Sequence, residues 1–422
     1  MTGHILILVE NLSVPFDRRV WQESRALADA GHRVTVICPQ GASLDQEPEV
    51  TIDRVRILRY PLRPARGGPV GYMREYSVAL WHSMRLALKV HRTDAIDVVH
   101  FCNPPDLLFI VALVLRVLGG TRSVFDQHDL VPELFLSRFP SGGKILFWLT
   151  RIAERVTYWC SDAVISTNES YRRVAIERGG MTPERVAVVR SAPDLTMFQR
   201  CEPDPALRNG KRYLGAYLGV MGPQDGIDYA LRAIAHLRNQ IGRRDTHFVF
   251  MGGGDAFDAM VALADELGIA DIVEFTGWVA GDFPRRCLST ADVCLSPDPK
   301  NPLNDVSTMN KVVEYMAMAK PLVSFDLLET HVSAGRAAVY VPDNNEEAFA
   351  SAIDQLLDDP VRRSEMGRYG RERVARELSW DVSRKSLLDF YARLFFPESQ
   401  KPSSDAAGTR VSTLPTRSVV TK

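Results

Sequence analysis

Short runs of β-branched and aromatic residues recur along the chain, each followed by a stretch whose apolar positions have helical spacing. In the first half the runs are Ile5–Val9, Val34–Cys38, Val55–Tyr60, Asp97–Phe101, Ser123–Asp126, Ala163–Ser166 and Val186–Val189. In the second they are Tyr213–Gly219, Phe248–Met251, Ile272–Phe275, Val293–Ser296, Pro321–Phe325 and Ala338–Val341. The runs are nearly continuous in hydrophobicity, as strands of a parallel sheet covered on both faces must be. The series pauses over Arg200-Cys201-Glu202-Pro203-Asp204-Pro205 and restarts near 213. This predicts two doubly wound α/β domains, residues 1–197 and 198–378, with a linker between about 195 and 212. A helix over 379–398 would place Val382, Leu387, Leu388, Tyr391 and Leu394 near one face. Residues 399–422 are Ser/Thr/Pro-rich and are expected to be disordered.

Composition excludes several classes. The 422 residues are 45% hydrophobic and 24% charged, an ordinary globular mix, and 51 Lys+Arg against 52 Asp+Glu give net −1. No global field draws nucleic acid. Six scattered cysteines form no C-x-x-C pair, which argues against a zinc knuckle or a disulfide framework and for a reducing, cytoplasmic location. No signal-peptide pattern opens the chain. The longest apolar run, Leu107 to Leu115, has nine residues, against roughly 17–25 for a membrane span, and predicts a buried helix.

One segment departs from the average: residues 54–92 hold nine basic residues against one acid, Glu75, interleaved with Tyr60, Tyr72, Tyr76 and Trp81. A second, Lys144 to Arg155, carries Phe147 and Trp148, with Phe135 and Phe139 upstream. Basic and aromatic residues together suit an anionic membrane surface. The alternative is a basic protein surface whose aromatics turn into the core.

Ligands of doubly wound folds bind beyond the carboxyl ends of the strands, and the unusual residues cluster there. After the first run come Asn11, Pro15, Phe16, Asp17, Arg18 and Arg19; Asp17 reads as a helix cap, the arginines as partners for an anionic group. After the fourth come His100, Cys102, Asn103 and Asp106, and after the fifth Asp126-Gln127-His128-Asp129, then Glu133. His128, Glu133 and His100 are the candidates for acid–base or positioning work. Two glycine loops, Gly219–Gly226 (with Gly222) and Gly252–Gly254 (with Gly253), offer backbone N–H groups to a phosphate. In Ser307-Thr308-Met309-Asn310-Lys311-Val312-Val313-Glu314, Ser307 and Thr308 read as helix caps. Glu314 is either an i,i+3 surface partner of Lys311 or a carboxylate gripping sugar hydroxyls.

Taken in order, Pro15-Phe16-Asp17-Arg18-Arg19-Val20-Trp21-Gln22-Glu23, Asp126-Gln127-His128-Asp129, Gly219–Asp228 and Ser307–Ala317 resemble the retaining glycosyltransferases of family four, from Ile5 to about Phe396. Within that family the chain looks most like the bacterial surface-polysaccharide branch. The resemblance implies a GT-B fold, two Rossmann-like domains facing a cleft, with the last helix crossing back onto the first domain. It implies a nucleotide-sugar donor, a glycan or polyprenyl-linked acceptor, and neither cofactor nor metal. By matching position, Glu314 would hold the ribose, 307–310 would underlie the donor sugar and diphosphate, and Trp278 and Val279 would flank the base. His128 would stand near the reacting sugar. The chain departs from the family at Val306, where E-x7-E has its first glutamate, at Val220 and Asp225, where the usual Arg and Lys stand, and at Cys102. Arg18, Arg19, Arg190, Lys311 and the glycine loops remain to face the diphosphate. No D-x-D is present. A non-catalytic nucleotide- or glycan-binding protein and a sugar-nucleotide epimerase are the competing expectations.

Overall fold

A computed structural model describes residues 2–41, 45–63, 68–139, 143–196, 198–279 and 281–395. The first sheet comprises β1 (His4–Leu8), β2 (Arg33–Pro39), β3 (Glu49–Ile52), β4 (Val55–Tyr60), β5 (Val98–Cys102), β6 (Arg122–Gln127), β7 (Ala163–Ser166) and β8 (Val186–Val188). Its order is β3-β4-β2-β1-β5-β6-β7-β8. The second comprises β9 (Tyr213–Leu218), β10 (Thr246–Met251), β11 (Val273–Gly277), β12 (Val293–Ser296), β13 (Leu322–Phe325) and β14 (Ala338–Val341), in the order β11-β10-β9-β12-β13-β14. Pairing is parallel throughout except for β3, antiparallel to β4 with Thr51 opposite Arg56.

Thirteen of these strands match the expected runs to within two residues at either end. The exception is β3: Glu49-Val50-Thr51-Ile52 alternates exposed and half-buried positions, so as a four-residue edge strand it carries no continuous apolar run. Each sheet has an apolar layer on both faces, and β1 is buried at every position. The run Leu107–Leu115 becomes the helix Phe109–Gly119, burying Val111, Ala112 and Leu115.

The helix Trp380–Phe395 crosses from the second domain to the first. Val374 and Leu378, just before it, pack into the second domain's core, whereas Leu387, Phe390 and Tyr391 join Ile5, Ile7, Val124 and Ile165 in the first. Val382 is 41% exposed and leaves the expected face. The end of the expected helix (396–398) and the tail 399–422 lie outside the described residues.

Each sheet reverses its strand order once, at β1/β5 and at β9/β12. Such reversals open crevices at the carboxyl ends of the strands. The two crevices face each other, because the segment after β12 is hydrogen-bonded to the first domain: Asn168 Nδ2 donates to Val306 O and to Thr308 Oγ1, both at 3.0 Å.

Candidate active site

In the first domain, the Asp126 carboxylate at the end of β6 is the hub. It is fully buried and takes a two-pronged contact from Arg19, Nη2 to Oδ1 at 2.7 Å and Nε to Oδ2 at 3.2 Å. His128 Nε2 lies 2.6 Å from Oδ2. Burial alone would raise this carboxyl, but Arg19 and then His128 hold it well below its usual range. Glu23, on the helix Arg18–Asp29, approaches Arg19 at 3.0 Å; burial, opposed by Arg19 and reinforced by Asp126, pushes it well up. Arg19 thus balances the Asp126 charge, with Glu23 protonated beside it. The loop carrying His128 is held by Asn103, whose Oδ1 accepts from His128 N at 2.7 Å and Asp129 N at 3.2 Å. His128 retains 18% side-chain exposure while His100 has none.

In the second domain, Lys311 is the second residue of the helix Asn310–Ala317 and is buried. Its Nζ lies 2.5 Å from Asp298 Oδ1, past the end of β12, and 3.8 Å from Asp225 Oδ1. Burial would lower this amine, but Asp298 and Asp225 keep it above its usual value. Asp225 Oδ2 accepts from Gly222 N at 2.9 Å. A carboxylate of the chain therefore takes the loop N–H that the sequence reading offered to a phosphate. Burial pushes Asp225 up to about 6 against the attraction of Lys311. The glycines serve close approach. A Cβ on Gly226 (φ +68°) would sit 2.1 Å from Pro297 O, and one on Gly252 (φ +132°) 1.9 Å from Gly219 O.

Across the cleft, Arg18 Nη2 meets Glu314 Oε1 at 2.6 Å. Glu314 is buried, which raises its pKa against the pull of Arg18, while Arg18 is 56% exposed and also lies over the Phe198 ring, 5.8 Å from its centroid. Tyr171 Oη and Ser307 Oγ are 2.8 Å apart. Between the domains lies a cavity of about 240 Å³, lined from the first by Glu10, Asn11, Tyr72, Tyr76, Pro104, Asp129 and Arg138. The second contributes Gln224, Asp225, Asp298, Asn304 and Ser307 to Met309. These residues lie in the segments after β1, β4, β5, β6, β9 and β12, among them all four strands that flank the reversals. The walls are rich in carboxyl groups, and burial followed by repulsion from Glu75 pushes Glu10 up to about 8. Such walls accept hydrogen bonds from hydroxyls.

Several expectations need correcting. Arg19 and Lys311 do not face the cleft as free cations, because carboxylates from neighbouring strand ends saturate them. Glu133 pairs with Arg178, which also binds Glu154, so it braces helices instead of meeting His128. The cap of the helix Asn310–Ala317 is Met309, with no side-chain cap bond; Ser307 and Thr308 turn to the first domain. Glu314 pairs with Arg18, not Lys311. Arg190 stands 3.9 Å from Glu329. Trp278, 66% exposed, flanks Gly253, and Val279 beside it is half-buried. Asp17 caps its helix as expected, Oδ1 accepting from Val20 N at 3.1 Å.

Sequence reasoning missed Glu23, Asn168, Tyr171, Asp298 and Tyr391. Asn168 carries a cap signal, since it also accepts from Tyr171 N; nothing marked its reach to the other domain. Among the described residues one trio, His100, Cys102 and Asp126, has ligand atoms within 4.8 Å of one another. Burial and then Asp126 push the Cys102 thiol well up, and Arg19 supplies the local cation, so the trio does not fit a metal.

Fold and cleft define a two-domain GT-B protein. Residues 17–192 match the family described as "Glycosyl transferase 4-like domain" and residues 212–359 that described as "Glycosyl transferases group 1"; the chain carries one glycosyltransferase domain of each type. A mannosyltransferase of Mycobacterium tuberculosis, GDP-mannose-dependent and acting on phosphatidylinositol monomannoside, is 26% identical over 87% of this chain and 91% of its own. The D-inositol 3-phosphate glycosyltransferase of Thermomonospora curvata is 29% identical over 56% of this chain; that match spans just over half (58%) of the relative. Among solved structures, sucrose-phosphate synthase from Thermosynechococcus elongatus superposes with TM-score 0.75 at 18% identity, covering 94% of this chain and 100% of that one. Anabaena HepE, in complex with UDP and glucose, superposes with TM-score 0.69 at 13% identity, over 92% and 99%.

Proposed function

We propose that the chain transfers a sugar from a nucleotide-sugar to a glycan or lipid-linked acceptor, with retention at the anomeric carbon and without a metal, in surface-polysaccharide assembly. The observation that carries this reading is the interdomain cavity, which brings Asn11 and Asp129 of one domain against Ser307, Thr308 and Asp225 of the other. Glu314 would take the ribose once Arg18 swings away, leaving that guanidinium beside the diphosphate. His128, oriented by Asp126 and Asn103, would meet the reacting sugar. The family matches and the mycobacterial phosphatidylinositol monomannoside mannosyltransferase support the class. The test is a panel of nucleotide-sugars followed by thermal shift and product analysis. A true donor at 100 times its Kd should stabilise by ~2.7 kcal/mol, and transfer should appear only with acceptor, the product's anomeric configuration matching the donor's. Binding without transfer to any acceptor would favour the non-catalytic reading, which the saturation of Arg19 and Lys311 by carboxylates also supports.

The acceptor is proposed to lie in an anionic membrane, with the protein at its cytoplasmic face. Trp81 and Trp148 point outward (60% and 64% exposed), whereas Tyr60 is buried and Tyr72 and Tyr76 line the cavity. On the helix Lys144–Cys160, Ile145, Trp148, Leu149, Ile152 and Trp159 are all more than half exposed. Their spacing makes one apolar stripe, flanked by Lys144, Arg151 and Arg155, the pattern of a helix lying in a headgroup layer. No described helix is long and apolar enough to cross a membrane. Sedimentation with anionic but not neutral vesicles, weakened by salt, is the expected result; equal recovery in the supernatant with both would assign a soluble acceptor.

A further inference from the structure

We propose that Tyr391, on the helix that crosses back from the second domain, is a positioning residue that fixes the tautomer of His100 and, through Asp126, the orientation of His128. The inference rests on the reading that His128 meets the substrate.

His100 and Tyr391 are both buried, at 0% and 1% exposure. Tyr391 Oη lies 2.8 Å from His100 Nδ1, and the two rings are parallel within 3°. Burial pushes the Tyr391 phenol well up, so it remains an O–H donor. A neutral imidazole that accepts at Nδ1 carries its proton on Nε2. That N–H points between Asp126 Oδ2 at 3.4 Å and Glu23 Oε2 at 3.5 Å. Both contacts are long for hydrogen bonds, and their sign matters more than their strength. In the other tautomer a nitrogen lone pair would face the ionised Asp126 carboxylate inside the core. That lone pair would repel Asp126 Oδ2, the same oxygen that holds His128 Nε2 at 2.6 Å. Tyr391 is thus to His100 what a carboxylate or carbonyl is to a metal-ligating histidine: the outer partner that sets which nitrogen carries the proton.

The position of Tyr391 gives the bond a further meaning. Its helix begins at Trp380, directly after Val374 and Leu378, which pack in the second domain. The 291-residue separation of Tyr391 from His100 makes this bond a direct tie between the crossing helix and β5 in the first domain's sheet. It exists only while the crossing helix is docked, so seating of that helix and orientation of His128 go together.

The experiment uses the full chain labelled with ¹⁵N-histidine and needs no substrate. Long-range ¹⁵N–¹H spectra report which ring nitrogen is protonated, with His100→Asn and His128→Ala assigning the signals. The expected wild-type pattern is Nε2–H at His100; in Tyr391→Phe that pattern is lost and the His128 ring signals shift. An Nδ1–H tautomer in the wild type overturns the proposal, and decides the matter even should Tyr391→Phe fail to fold. So do His100 and His128 signals left unchanged in a folded Tyr391→Phe. With any donor that passes the thermal-shift panel, Tyr391→Phe should lower kcat about three- to tenfold, the worth of one neutral hydrogen bond, at unchanged KM; a raised KM at unchanged kcat overturns it. If no donor is found, the functional reading fails while the spectra still judge Tyr391.

Discussion

Two buried charge clusters, one per domain, are built from the same parts and end differently. Arg19 and Lys311 are each the second residue of a helix, and each is held by two acids, Glu23 and Asp126 for the first, Asp225 and Asp298 for the second. A guanidinium is a planar fork, so Arg19 can grip both Asp126 oxygens and still leave Oδ2 to a third group. The ammonium of Lys311 is a point charge that closes on Asp298. The first cluster therefore extends its charge to an imidazole near the cleft, whereas the second is sealed. A cation at a strand end is thus not by itself an anion site; what the neighbouring strand ends supply decides it.

Removing the hub should break the first cluster most severely. Asp126→Ala leaves Arg19 with Glu23 as its one remaining acid and strips His128 of its partner. Losing one partner of a buried ion pair costs about 3–5 kcal/mol, read as a fall in the urea midpoint at unchanged slope. Because His128 is released as well, transfer should fall even where the variant is folded.

The matching change in the sealed cluster should cost less. Asp298→Asn keeps a carbonyl that can accept from Ser296 Oγ, now at 2.7 Å from Asp298 Oδ2, and Lys311 keeps Asp225. A loss of about 1–3 kcal/mol is expected, the worth of a charged hydrogen bond. Nucleoside diphosphate binding should tighten, since Lys311 is then freed toward the cavity that Asp298 lines. A greater loss of stability than in Asp126→Ala would invert the comparison.

The difference between the clusters also marks how far sequence could reach. Parallel strands buried on both faces write themselves as continuous apolar runs, and only β3, short and half-wet at the sheet edge, escaped. The candidate site was legible where contacts fall within one segment, in the Asp17 cap and the Asp126–His128 contact, but not in Ser307–Glu314, whose expected caps bond the first domain instead. It was illegible where one partner comes from another strand end. Arg19 meets Asp126 across 107 residues, and Lys311 meets Asp298, an acid in the unremarkable stretch Pro297-Asp298-Pro299. Nor could periodicity separate Tyr391, a core residue with one hydrogen bond to give, from its apolar neighbours.

The smallest expected effect separates the clusters by the sign of their pH dependence. Asp126 has a folded pKa well below the unfolded value near 3.9. Its stabilising contribution is complete above about pH 4 and is lost only as pH falls through the depressed value. Asp225 is raised to about 6, so its contribution is complete below the unfolded value and is lost as pH rises through about 6. Between about pH 4.5 and 6.5 the Asp126 contribution is flat and the Asp225 contribution is lost. Glu23 and Glu10 also titrate in the folded protein, so the useful quantity is the difference between wild type and Asp225→Asn, in which their contributions cancel. Asn cannot ionise, and it matches the protonated carboxyl in shape. The variant should gain on wild type by about 1 kcal/mol as pH rises across this window, less than the full two-unit shift would give at 1.36 kcal/mol per unit, because Asp225 keeps 15% side-chain exposure. Urea midpoints at pH 4.5, 5.5 and 6.5 measure it. A variant that instead loses ground as pH rises would mean that attraction to Lys311 outweighs burial at Asp225, and that the second cluster is held together as the first is.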